Sequence, residues 1–234
     1  MSGVNVKRAK KKPKVLTPRP VKRRDVKKFI DYCLILRAFW RHYQELFEVS
    51  TLRRELLELV APKLFGDLNL MFIEHLILQI CRLTDPEGSE KRRNFTTHFF
   101  VNNAQFPRGS SDRKRLAQLL LLITRFRKRI EPARNKAIGH LDLRKVHRRI
   151  SLGGATVTEW NQFWLDLQEF VAILHRRYVD PKHEFYLNGV AQISDADQLV
   201  QALRESVYFR AALADKSTTH ALGEIAFTTK FHSA

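Results

Sequence analysis

Apolar residues recur three and four apart through the first half of the chain. Phe29, Ile30, Cys33, Leu34, Leu36, Phe39, Trp40, Tyr43, Leu46 and Phe47 make one such series, which predicts a long helix opening at Asp25 as its N-cap. Ser50 is placed to cap a second helix from Thr51 to Val60, and Pro62 opens a third that runs to Thr84. In that third segment Leu68, Leu70, Met71, Phe72, Ile73, Leu76, Ile77, Leu78, Ile80, Cys81 and Leu83 cover almost the whole circumference. A helix apolar nearly all round is expected at the centre of a bundle. Asp85-Pro86-Glu87-Gly88-Ser89 is a stop signal, and the polar stretch 90–111 reads as a loop with one short helix around 95–102. Ser111 or Asp112 then caps a helix carrying Leu116, Leu119, Leu120, Ile123, Phe126 and Ile130. Its opposite face holds Arg125, Arg127, Lys128 and Arg129 as one basic surface, Pro132 should kink it, and Gly139 is a natural end.

Residues 143–157, with Gly153-Gly154, form a connector, after which Thr158 caps a helix containing Trp160, Phe163, Trp164, Leu167, Phe170, Ile173, Leu174 and Tyr178. Beyond Asp180-Pro181 the chain is irregular until Ser194-Asp195-Ala196-Asp197, a variant capping box that starts a helix to about Leu213; the last twenty residues read as a weakly ordered tail. There is no internal repeat, no heptad run and no alternating pattern long enough for a sheet. The expected fold is all-α: a bundle of about five to six helices. The chain divides into a disordered basic arm (1–24), the bundle (25–180) and a C-terminal helical extension with its tail (181–234).

Composition agrees with that reading. A chain of 234 residues with 44% hydrophobic content can bury a proper core, and 9 Gly with 8 Pro favour helix over strand. Net charge changes the picture more. At +18, with a pI near 10.3, the protein should seek a polyanion, nucleic acid first and an anionic membrane surface second. Part of the charge lies in the arm, at Lys7, Arg8, Lys10, Lys11, Lys12 and Lys14, so a solubilising tail is the plainer reading of that stretch. No apolar run follows those cations, which argues against a secretory signal. The runs 68–73 and 119–123 fall well short of the ~20 residues of a membrane span. Cys33 and Cys81 sit in apolar helical pattern as small buried hydrophobes, and a reducing cytoplasm is the simpler setting.

Candidate chemistry concentrates in Arg134-Asn135-Lys136-Ala137-Ile138-Gly139-His140, followed by Leu141 and Asp142. A fixed cation, an amide and an imidazole within about two helical turns can hold a phosphate and move protons around it. Arg125, Arg127, Lys128, Arg129 and Lys136 would supply RNA contacts beside them. The spacing alone is not diagnostic, because Arg37 with His42, Arg177 with His183, and Arg93-Asn94 with His98 also satisfy it. Context favours Arg134 and His140: a basic helix precedes them and Asp142 follows. Arg93 and His98 are the alternative. The plain structural reading is that Arg134 pairs with Glu131 or Asp142, and that His140 sits at the negative end of a helix dipole. Trp160, Trp164 and the aromatics of the first helix read as core. No phosphate-cradling Gly-rich loop is present, Glu74-His75 is not a two-His zinc motif, and His140 with His147 lacks further ligands, so neither metal nor cofactor is expected.

Three places together carry a family resemblance: Phe39-Trp40-Arg41-His42-Tyr43; Cys81-Arg82-Leu83-Thr84-Asp85-Pro86 with Asn94-Phe95-Thr96; and Arg134 to Asp142. In this the chain resembles the HEPN superfamily, and within it the abortive-infection U-type branch, over roughly residues 25–178. Gly139 stands where an Ala is more usual. The resemblance implies a metal-independent endoribonuclease in which His140 is base or acid, Arg134 stabilises charge on phosphate and Asn135 orients His140 or contacts the ribose. It also implies a homodimer, and a setting in phage defence or beside a cognate antitoxin. A non-catalytic HEPN module that binds RNA or a protein partner is the alternative it equally contains.

Overall fold

The computed structural model describes residues 17–135, 154–187 and 195–214. Among them α1 (Arg23–Tyr43) runs on through a π-helical turn (Gln44–Glu48), followed by α2 (Thr51–Val60) and α3 (Pro62–Leu83). A two-stranded ribbon of β1 (Gly88–Ser89) and β2 (Arg92–Arg93) precedes α4 (Thr97–Asn103) and α5 (Ser111–Ala133); α6 (Val157–Tyr178) and α7 (Asp195–Ala214) complete the bundle. The all-α expectation holds, with seven α-helices among the described residues.

The bundle closes around α1, α5 and α6. Val26, Phe29, Ile30, Cys33, Leu36, Trp40 and Tyr43 bury the stripe of α1 that the apolar spacing predicted. It meets Trp160, Phe163, Trp164, Leu167, Phe170, Val171 and Leu174 of α6. Aromatic contacts run along this seam: Trp40 stacks on Trp160 at 4.6 Å and 12°, and Phe126 of α5 stacks on Phe163 at 4.6 Å. Phe29 packs on Phe100 of α4 at 4.5 Å and on Phe170 at 6.1 Å. Each such pair is worth about 0.5–1.5 kcal/mol beyond its area. Arg37 lies over the Trp164 ring at 5.0 Å, which gives that arginine a packing role.

The helix ends show which local signals act. The Ser50 hydroxyl accepts the Arg53 N–H at 3.2 Å and starts α2, and Pro62 occupies the first turn of α3, as the sequence predicts. Asp25 is not the N-cap of α1. It stands in the first turn and accepts the Lys22 N–H at 3.0 Å, and the helix begins two residues earlier. Thr156 rather than Thr158 caps α6, in a capping box with Glu159: the threonine hydroxyl accepts the Glu159 N–H at 3.2 Å and the glutamate accepts the Thr156 N–H at 2.8 Å. Asp112 does not cap α5. It accepts a bond from Arg176 of α6 at 3.0 Å, and the N-cap position falls to Ser110.

Three further departures bear on function. First, α3 is not the enclosed centre of the bundle. Phe65, Leu76, Ile77, Ile80, Cys81 and Leu83 are buried against α1, α2 and α5, whereas Leu64, Leu70 and Met71 are exposed, as are Ile35 and Phe39 on α1. By length and composition α3 would suffice to cross a membrane, with a mean hydropathy of 1.4 over a window that is 28% buried. Second, the ribbon between α3 and α4 was not expected. It turns at Glu90-Lys91 and opens at Gly88, whose φ of +90° and close approach to the Arg92 carbonyl leave no room for a Cβ. Third, residues 17–22 lie against the fold as an extended segment. Val21 is buried, the Arg19 N–H donates to Asn103 Oδ1 at 2.8 Å, and Thr17 bonds to Glu90 and Arg93. At the other end α7 docks on α2 and the π-helical turn through Ala196 and Val200, with Arg53 on Asp197 at 2.7 Å. The expected cap at Ser194, the connector 143–153 and the tail 215–234 lie outside the described residues.

Candidate functional site

At the C-terminal end of α3 the Thr84 hydroxyl donates back to the Ile80 carbonyl at 2.7 Å, and the chain turns at Asp85-Pro86. The last carbonyls of the helix point toward α5, and Arg127 answers them: it donates to the Thr84 carbonyl at 3.1 Å and to Asp85 Oδ1 at 2.7 Å. Glu131, one helical turn on, takes a further bond from Arg127 at 3.2 Å. One more turn brings Arg134, with a guanidinium nitrogen 3.8 Å from the same Asp85 oxygen. Residues 127, 131 and 134 lie four and three apart, so α5 stacks them along one stripe beside the buried Ile123 and Ile130.

Within this cluster the two arginines differ. The Arg127 side chain is 11% exposed and Arg134 is 31% exposed. Arg127 is a structural cation that ties α5 to the end of α3. At 3.8 Å Arg134 is beyond hydrogen-bond range of Asp85, and its guanidinium has no hydrogen-bond partner among the described residues. The backbone stays helical through Arg134, whose N–H bonds to the Ile130 and Glu131 carbonyls, and Asn135 beside it is exposed. Arg134 pairs with neither Glu131 nor, among the described residues, any carboxylate but Asp85. Lys136, His140 and Asp142 lie outside the described residues.

The other pairs of like spacing are engaged locally. Arg93 lies 3.5 Å from Glu87, which is itself held by Asn102 and Asn103 at 3.0 Å each, and Arg93 also donates to the Thr17 carbonyl. The Asn94 amide donates to the Pro86 carbonyl at 2.8 Å. His98 is half-buried; burial, reinforced by Arg127 nearby, holds its imidazole below the ordinary histidine range, against the opposing pull of Glu87 and Asp85. Arg177 donates to the Gln105 carbonyl at 3.0 Å, and His183 meets Asp180 at 2.8 Å. Burial likewise raises both thiols, Cys33 and Cys81, so neither is a poised nucleophile.

The basic surface expected on α5 is divided. Arg125, Lys128 and Arg129 are exposed together, with Arg129 on Glu159 at 2.8 Å, and they border a groove with Leu122, Gln162 and Asp166. Arg127 points the other way, because position 127 falls on the stripe that packs against α3. Asp85 is the member that the sequence marks as a helix stop and as part of the Cys81 to Pro86 stretch of the family resemblance, without revealing its partners. The local signal for it was Arg127-Glu131-Arg134 on one stripe, two cations and one anion that call for a second carboxylate.

A second groove opens on the far side of Asp85. Its cavity is about 440 Å³, lined by Lys28 and Tyr32 of α1, Arg82 at the end of α3, and Arg93, Asn94 and Phe95 of the α3–α4 connection. No curated protein and no solved structure matches the chain with significance. A family profile does: HEPN_AbiU2, described as AbiU2, matches residues 23–199, from the first residue of α1 into α7. That span contains the Asp85 turn, Arg127 and the whole of Arg134 to His140, and on this match the chain belongs to the AbiU2 family of HEPN domains.

Proposed function

We propose that this protein is a metal-independent endoribonuclease of HEPN type, working as a two-fold dimer in phage defence or a toxin–antitoxin system. The observation that carries the reading is the placement of Arg134. Arg134 lies 3.8 Å from Asp85 at the end of α5, yet Arg127 at 2.7 Å is the carboxylate's nearer partner, so the Arg134 fork remains open to phosphate oxygens. In the proposed reaction a ribose 2′-OH attacks the adjacent phosphorus, and His140 takes its proton. Arg134 stabilises the charge that grows on the phosphorane, and Asn135 orients the imidazole or contacts the ribose. The 5′-oxygen leaves with a proton from a second imidazole, yielding a 2′,3′-cyclic phosphate and a 5′-OH. One imidazole cannot readily be base and acid in the same turnover, and a dimer supplies the second. The exposed apolar residues Ile35, Phe39, Leu64, Leu70 and Met71 on α1 and α3 support association of two copies. A charge of +18 supports an RNA partner, with Arg125, Lys128 and Arg129 as exposed contacts and Lys136 beside the motif.

The Asp85–Arg134 pairing also suits a non-catalytic HEPN module that holds RNA or a protein partner such as a cognate antitoxin. Purified protein incubated with mixed cellular RNA in EDTA separates the two. Cyclic-phosphate ends that vanish with His140→Ala, while His98→Ala still cuts, establish the RNase. RNA binding without cutting across tRNA, mRNA and ribosomal RNA pools assigns the module.

A further inference from the structure

We propose that the groove behind Asp85 holds one nucleotide of single-stranded RNA, with its base on Phe95 and its phosphate on Arg82 and Lys28; this rests on the RNA reading above. Phe95 is 44% exposed, whereas Phe29, Phe99 and Phe100 around it are buried. Phe100 at 5.2 Å and 70°, and Phe29 at 6.2 Å and 75°, grip the ring edge-on and hold it rigid at the groove wall. A fixed, half-open aromatic ring is a stacking platform for any base. Around it the charge is unbalanced. Asp85 is taken by Arg127, and Arg93 by Glu87, whereas no carboxylate pairs with Lys28 or Arg82 among the described residues. Among the described residues the Arg82 side chain makes a single weak bond, to Gln79 at 3.4 Å. An anion is therefore what the groove lacks, and about 440 Å³ lies within the size range of small-ligand sites.

Two neighbours extend the path. Asp85 lines the groove and its carboxylate is 3.8 Å from an Arg134 guanidinium nitrogen, so the groove adjoins the proposed cleavage site. On the other side, Thr17 is bonded to Arg93.

The test is fluorescence anisotropy of full-length protein with a 2′-O-methyl RNA 12-mer, which has no free 2′-OH to attack, over a series of salt concentrations. Arg82→Glu and Arg54→Glu change net charge equally, and Arg54 is exposed on α2 and lines neither groove. Arg82→Glu should weaken binding at least about tenfold more than Arg54→Glu, and lower the slope of log affinity against log salt by about 0.7. Phe95→Leu, which keeps an apolar side chain in the aromatic cluster, should cost roughly 5- to 100-fold at an unchanged slope. An oligonucleotide carrying 5-iodouracil should photo-crosslink to the peptide containing Phe95. Equal losses from the two arginine variants, or wild-type affinity in Phe95→Leu, would overturn the groove while leaving RNA binding intact. Absence of RNA binding by the wild type would overturn the RNA reading and the groove together. Competition by an acidic peptide but by no nucleotide would assign the groove to a protein partner instead.

Discussion

Asp85→Asn tests the ionic cluster on which the site is built. The substitution keeps the shape of the side chain and removes one charge, leaving Arg127 with Glu131 at 3.2 Å and the Thr84 carbonyl at 3.1 Å. Side-chain exposures of 11% for Arg127 and 23% for Asp85 place the pair between the exposed and the buried extremes. Exposed pairs are worth about 0–1 kcal/mol, and breaking a buried one costs about 3–5 kcal/mol. A loss of about 2 kcal/mol is expected, or about 4–8 °C in Tm for a chain of this size. Urea unfolding followed by circular dichroism measures it. Glu159→Gln provides the comparison: Arg129 and Glu159 are 62% and 31% exposed, and the amide oxygen can still accept the Thr156 N–H, so its loss should be clearly the smaller. A double-mutant cycle with Arg127→Met should return a coupling of about 1–2 kcal/mol, whereas the cycle with Arg134→Met should return less than about 0.5 kcal/mol. Asp85→Asn costing no more than Glu159→Gln, or a stronger coupling to Arg134 than to Arg127, would refute the assignment of Arg127 as the structural partner and Arg134 as the open one.

Trp160→Ala removes the ring that stacks on Trp40 and meets Phe126 edge-on, and should cost about 3–5 kcal/mol, read as a drop in the urea midpoint; a loss under about 1 kcal/mol would mean the seam is not the core. Gly88→Ala forces a Cβ into a residue at φ +90° against the Arg92 carbonyl, and should destabilise by about 1–3 kcal/mol, whereas Gly109→Ala meets no neighbour and pays only for its φ of +79°. For His98 the folded protein binds the proton less tightly than the unfolded chain, because burial and Arg127 hold the imidazole below its ordinary value of 6.5. Its favourable contribution is therefore complete above that value and is lost as pH falls through the depressed folded pKa. His98→Gln should flatten the decline of stability below pH 6.5, and an unchanged profile would show that His98 is not the group responsible.

The helices were legible because their signal is local. Spacing of three and four marks one side of α1, α5 and α6 whatever those helices touch, and Ser50 and Pro62 act on the backbone within a single turn. Arg134 and Asn135 could be singled out for the same reason, as a short motif in one segment. What the sequence could not determine was every feature that depends on which helix meets which. Periodicity marks the apolar side of a helix, but a stripe can carry a cation. Arg127 turns inward because α5 docks on the end of α3, where unpaired carbonyls and Asp85, 42 residues away in sequence, receive it. The apolar circumference of α3 implied full burial, yet the neighbours cover only one side and leave Leu64, Leu70 and Met71 exposed. Phe95 reads as part of Asn94-Phe95-Thr96, and only the packing of Phe29 and Phe100 around it leaves its ring half open in a groove with Lys28 and Arg82, which meet no carboxylate among the described residues. Local propensity acts within a few residues and is written in the chain, whereas the meeting of Asp85, Arg127 and Arg134 exists only once the helices have docked.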